Sequence, residues 1–109
     1  MKGSTVNWED GLMERLKDPE FAKGYVEACL EEGMSLEMAL GDVVRAQGVT
    51  KVAKRAHLAR PNLIRALRPK ANPTLGTLRR VLNGVGLELA VRPSKIIKRT
   101  RSRKLVKAA

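Results

Sequence analysis

The sequence predicts an all-α fold of about five helices, with a helix-turn-helix near its middle and one short C-terminal β-strand. Three observations carry this. Apolar residues recur at helical spacing through most of residues 8–85. Start and stop residues of the right chemistry separate these stretches. Strict alternation of apolar and polar residues, the period of a strand, occurs once, at Leu87, Leu89 and Val91.

A short helix is expected over Trp8–Lys17, with Asn7 as its cap and Glu9 and Asp10 at the positive end of its dipole. Asp18 followed by Pro19 marks a second start, because aspartate caps and proline suits the first helical position. That helix should run to about Glu32, with Phe21, Tyr25, Ala28 and Cys29 on its inner stripe and Gly33 as a left-handed stop. Ser35 caps the next, in which Leu36, Leu40, Val43, Val44 and Gln47 face inward and Gly48 ends the run.

Thr50 is expected to cap the first helix of the motif TKVAKRAHLARPNLIRALR. Val52, Ala53 and Ala56 turn inward there, Lys51, Lys54 and Arg55 outward, and Leu58 plugs the turn. The residue before a proline is disfavoured in the α region, so Arg60 sits at the lip of the second helix and Pro61 in its first turn. Leu63, Ala66 and Leu67 form its buried stripe, and Arg60, Ile64, Arg65 and Arg68 its open face. His57 occupies the turn position that favours a left-handed backbone. Asn72 or Thr74 caps a last helix with Leu75, Leu78, Leu82 and Val85 inward, closed by Gly84 and Gly86. The strand that follows has no second alternating segment to pair with, so the same strand of a second subunit is its expected partner.

The 109 residues fit one small domain with tails. They are expected to divide into an N-terminal extension with a short helix (1–17), a helix-turn-helix domain (18–92) and a basic, disordered tail (93–109). Charge follows this order. Residues 1–42 carry four basic and ten acidic side chains, residues 43–92 eleven basic and only Glu88, and residues 93–109 seven basic and none acidic. A net charge of +11 favours a polyanionic partner, while the acidic third is suited to a protein partner. The lone Cys29 and the lack of a signal sequence point to a reducing cytoplasm. The longest uncharged run, Ala71–Leu78, is far below the roughly 20 apolar residues of a membrane helix.

Double-stranded DNA is the expected nucleic acid. Proteins of single strands and RNA stack bases on aromatic side chains, and Trp8, Phe21 and Tyr25 all lie in the acidic third. Arg60, Asn62 and Arg65 are candidate base readers, since arginine matches guanine bidentately and asparagine adenine. Thr50, Lys51, Arg68, Lys70 and Thr74 are candidate phosphate contacts that set register. The absence of metal-ligand spacing, a phosphate-binding glycine loop or a nucleophile with an oriented base predicts no metal, no cofactor and no enzyme activity.

The runs LKDPEFAKGYVEACLEEG, ALGDVVRAQG, TKVAKRAHLARPNLIRALRPKANPTLGTLRRVL and GLELAV together resemble the HigA-like addiction-module antidotes, lambda-repressor-like (Xre-type) helix-turn-helix proteins. The resemblance covers Leu16–Arg92 and is most specific at Asp18–Phe21, Arg60–Leu67 and Asn72–Leu78. It implies an antitoxin that represses its own operon and neutralises a small RelE/ParE-like toxin. The arginine-lined second helix beside an unpaired strand predicts a homodimer on a palindromic site, and the acidic third predicts that the toxin is basic. By position, Arg60, Pro61, Asn62 and Arg65 correspond to recognition-helix residues and Leu87–Val91 to a closing strand. His57 departs from the family's turn glycine and Ala59 from its serine cap. Two alternatives stay open: a stand-alone phage-type repressor, and an antitoxin whose helix-turn-helix no longer binds DNA.

Overall fold

The structure, a computed structural model, describes residues 11–94. Trp8 with the expected first helix start, and the basic tail from Lys95 onward, lie outside the described residues. Within them the chain forms six helices: α1 (residues 11–15), α2 (Pro19–Glu31), α3 (Leu36–Gln47), α4 (Val49–Ala56), α5 (Arg60–Ala66) and α6 (Leu75–Gly84).

Caps chosen by side-chain chemistry hold three of the helix starts. The Asp18 carboxylate accepts from the Glu20 amide at 3.3 Å, the Ser35 hydroxyl from Met38 at 3.4 Å and the Thr74 hydroxyl from Thr77 at 3.1 Å. Thr50 is not a cap. Helix α4 begins one residue earlier, with Gly48 in the cap position and no side chain satisfying its first amides, so Thr50 stands inside the first turn.

Helix ends share one closure. After α2, α4 and α6 the chain turns through a left-handed residue, Gly33, His57 or Gly86. The next amide then reaches back five residues: Met34 to the Cys29 carbonyl at 3.0 Å, Leu58 to Ala53 at 3.0 Å and Leu87 to Leu82 at 2.8 Å. His57, at φ 57° and ψ 44°, thus stands where two other helix ends use glycine.

The core is drawn from every helix. Leu16, Ala22, Leu40, Val43, Val44, Val52, Leu63, Val81 and Val85 are buried within it. Leu16 and the half-buried Leu12 tie α1 to this core. Two expected stripes are rotated. On α2 the buried line is Ala22 and Val26, flanked by half-buried Phe21, Tyr25 and Cys29, while Ala28 faces solvent. On α6 Val81 is fully buried and Leu75 is exposed.

Helix α6 packs closely across α4. A side chain at Gly84 would bring its Cβ to 3.0 Å from the Val52 carbonyl oxygen and 3.2 Å from the Ala56 Cβ, so this crossing requires glycine or a shift of α4. Gln47 fastens three elements at the same place. Its amide nitrogen donates to the carbonyls of Leu16 (3.3 Å) and Val85 (3.1 Å), and its oxygen accepts from Arg55 at 3.4 Å. Arg55 also reaches the Gly84 carbonyl at 3.5 Å.

No strand forms among the described residues. Leu87–Arg92 continues from α6 without regular structure. The expected alternation is present, but a strand exists only through a ladder partner, and the single chain offers none among these residues.

Candidate nucleic-acid interface

The geometry that would meet DNA begins at the α4–α5 turn. Three residues, His57, Leu58 and Ala59, join the helices, and the left-handed His57 redirects the chain between them. Leu58 is half-buried against the core and Leu63 is fully buried. These two residues seat the turn and α5 on the body of the protein. Ala59 has the extended backbone of a cap, φ −68° and ψ 141°, but no side-chain acceptor, so α5 starts with Pro61 in its first turn and no side-chain cap.

With Leu63 pointing inward, Arg60, Pro61, Asn62, Ile64 and Arg65 are all exposed on α5. The candidate base readers therefore share one open helix. Arg65 donates from Nη1 to the Asn62 side-chain oxygen at 3.1 Å. This bond joins two of the four candidates and directs the arginine toward the N-terminal end of the helix. It also engages one of the two lone pairs of the oxygen that Asn62 would offer to adenine N6, which fixes the orientation of the amide.

The candidate phosphate contacts flank this helix in sequence and are exposed. Thr50 and Lys51 stand in the first turn of α4. Arg68 and Lys70 lie in the loop after α5, which carries two further left-handed residues, Lys70 (φ 68°) and Asn72 (φ 53°). Thr74 is less available, because its hydroxyl donates to Thr77 Oγ1 at 3.0 Å while capping α6.

What distinguishes this half of the molecule is its electrostatics. No acidic side chain occurs between Asp42 and Glu88, an interval with ten lysines and arginines. Arginines here therefore lack carboxylate partners within the interval. The three ion pairs among the described residues, Lys17–Glu14, Lys23–Glu27 and Arg45–Asp42, all bind acids of the first three helices. Uncompensated cations on an exposed helix and its flanking loop form a surface of positive potential.

Sequence reasoning missed two aspects of this region. Arg55 was expected to be merely outward-facing, yet its guanidinium tip is turned onto Gln47 and the end of α6. Arg79 and Arg80 on α6 are exposed cations of the same acid-free interval. Of the expected closing strand, Leu87 packs against the core, whereas Leu89 is 42% and Val91 94% exposed.

Among the described residues no group of three or more His, Cys, Asp or Glu side chains is placed to hold a metal ion. No helix there is long and apolar enough to cross a membrane.

An uncharacterized protein of Haemophilus influenzae is 32% identical over 87 residues, which cover 77% of this chain and 89% of the relative. No solved structure matches the chain significantly. A family described as "Probable addiction module antidote protein" matches residues 9–93, from before α1 to beyond Val91. The chain belongs to this family of addiction-module antidotes.

Proposed function

We propose that the protein is an antitoxin of the HigA-like, lambda-repressor-like type, which binds double-stranded DNA through α5 and represses the operon encoding it. The observation that carries the DNA-binding part is the exposed helix α5 with Arg60, Asn62 and Arg65, set in an interval of ten cations and no acids. Its antidote family membership supports the toxin-directed part, and a small RelE/ParE-like protein is the proposed target. Lys51, Arg68 and Lys70 would neutralise phosphates and set register, while Arg60, Pro61, Asn62 and Arg65 meet base edges.

A palindromic operator calls for two copies related by a two-fold axis, with half-sites about one helical turn apart. The unpaired segment containing Leu87, Leu89 and Val91 is the proposed contact between copies, where each chain supplies the ladder partner that the other lacks.

Gel-shift titration on the duplex upstream of the protein's own gene tests this. Arg65→Ala should reduce discrimination between that duplex and a scrambled one, losing on the order of 1–3 kcal/mol on the specific site. Lys51→Ala should weaken both duplexes alike and flatten the salt dependence by about two phosphate contacts, one per copy. Equal losses on every duplex for both variants would remove the assignment of α5 as the reading helix.

A further inference from the structure

The open face of α5 carries one side chain that neither arginine nor asparagine chemistry explains. Ile64 is 39% exposed there. Leu63 on the same helix is buried in the core and Leu67 packs against it, whereas Ile64 does neither. A single exposed isoleucine is ordinary on a protein surface; its surroundings set this one apart. Arg60 stands one helical turn before it and Arg68 one turn after, both exposed, within the acid-free interval from Asp42 to Glu88. Among the described residues that interval holds two large exposed apolar side chains, Ile64 and Leu75, and Leu75 belongs to α6.

The bond between Asn62 and Arg65 shapes what lies beside it. Helical rotation puts Asn62 and Ile64 at opposite edges of the open face, with Pro61 and Arg65 between them. Arg65 donates to the Asn62 side chain at 3.1 Å. Its guanidinium is thereby drawn to the Asn62 edge, and Ile64 is left uncovered on the edge it shares with Arg60.

Of the base edges in the major groove, thymine alone presents an apolar group, its C5 methyl. A β-branched side chain in a helix holds one preferred rotamer, so Ile64 meets such a group with little ordering cost. We propose that Ile64 is a specificity residue of α5 that packs on a thymine C5 methyl, so that each operator half-site holds a thymine read by shape beside the guanines read by arginine. The proposal rests on the DNA-binding reading of α5. The same contact distinguishes thymine from uracil, which pairs identically but lacks the methyl.

The test replaces each thymine of the duplex upstream of the protein's own gene, one at a time, by deoxyuridine, and measures affinity for the full chain by gel-shift titration. Wild-type preference for the unmodified duplex over a scrambled one establishes the DNA-binding reading; its absence overturns that reading and this proposal together. Given that preference, replacement of one particular thymine in a half-site should weaken wild-type binding about 4-fold, the effect of burying one methyl. Ile64→Ala should bind the unmodified duplex at least about 10-fold more weakly, because both copies lose the contact. It should bind the scrambled duplex as wild type does and be indifferent to uracil at the sensitive position. Alanine suits an exposed helical position, so the variant should keep the wild-type circular dichroism. Wild-type indifference to uracil at every position overturns the methyl contact and leaves the DNA-binding reading standing. Equal sensitivity of wild type and Ile64→Ala at the same thymine overturns it by assigning the methyl to another side chain. Equal weakening of upstream and scrambled duplexes by Ile64→Ala overturns it by removing Ile64 from sequence readout.

Discussion

Gln47 is the residue whose replacement most directly tests the packing described above. It holds the carbonyls of Leu16 and Val85, residues that are 0% and 1% exposed, and accepts from Arg55. Gln47→Leu conserves volume but removes all three hydrogen bonds and leaves two shielded carbonyls without that donor. A net hydrogen bond contributes about 1 kcal/mol, and a buried group left unsatisfied costs about 1–3 kcal/mol. Two carbonyls at a part-buried site give a gross loss of roughly 2–4 kcal/mol on that scale, and the added apolar burial returns about 1 kcal/mol. The expected net destabilisation is therefore about 2 kcal/mol, out of a total near 5–15 kcal/mol for a small domain. For a domain of this size that lowers the melting temperature by roughly 8–16 °C.

Urea denaturation followed by circular dichroism measures this loss. Gln47→Glu separates hydrogen bonding from packing, because it preserves the shape and an acceptor for Arg55 yet offers no donor to the carbonyls. It should lose at least as much as the leucine variant. A change under about 0.5 kcal/mol for both would refute the claim that Gln47 fastens α1, α4 and α6 together.

Two further outcomes follow from local geometry. Ala59 already has the backbone of a cap but no side-chain acceptor, so Ala59→Ser should raise stability by about 1 kcal/mol in the same urea assay; no gain would mean that the first amides of α5 are satisfied otherwise. Tyr25 donates its hydroxyl to Asp42 at 2.5 Å. That bond, then burial, then the Asp42 charge push its ionisation well above the ordinary value near 10. A raised folded value stabilises fully below the ordinary value and is lost as pH rises through the folded one. The advantage of wild type over Tyr25→Phe, about 1 kcal/mol at neutral pH, should shrink above about pH 10, and an advantage that grows there would contradict the assignment.

Much of the helical frame was legible in the sequence because its signals are local. Asp18, Ser35 and Thr74 cap because a short side-chain oxygen reaches an amide two or three residues on, and Gly33 and Gly86 stop helices because they turn left-handed without strain. His57 stands at the turn position where the sequence pattern wants glycine, and it takes the left-handed backbone there. Features set by tertiary context were not legible. The rotation of α2 depends on which neighbours it meets, so Ala28, on the expected stripe, lies outside. Gln47 reads as one more position on an inner stripe until Leu16, Arg55 and Val85 are brought to it from three directions. The alternation at Leu87–Val91 signals a strand, but a strand forms only against a ladder partner, and no described segment of the chain supplies one.

For the candidate interface, the exposure of Arg60, Ile64, Arg65 and Arg68 was legible from the helical spacing of Leu63, Ala66 and Leu67. Two contacts were not: Arg65 bonded to Asn62, and the Thr74 hydroxyl engaged by Thr77. Both depend on rotamers within a turn of helix, which spacing alone does not specify.

The central claim, that the acid-free half of the molecule is a phosphate-following and base-reading surface, is tested most directly by measuring affinity for the upstream duplex against salt concentration. With Lys51, Arg68 and Lys70 on each of two copies, the slope of log affinity against log salt should be about −5. The upstream duplex should remain at least about 10³-fold preferred over a scrambled one at physiological salt. A slope near zero, or equal affinity for both duplexes, would contradict the account.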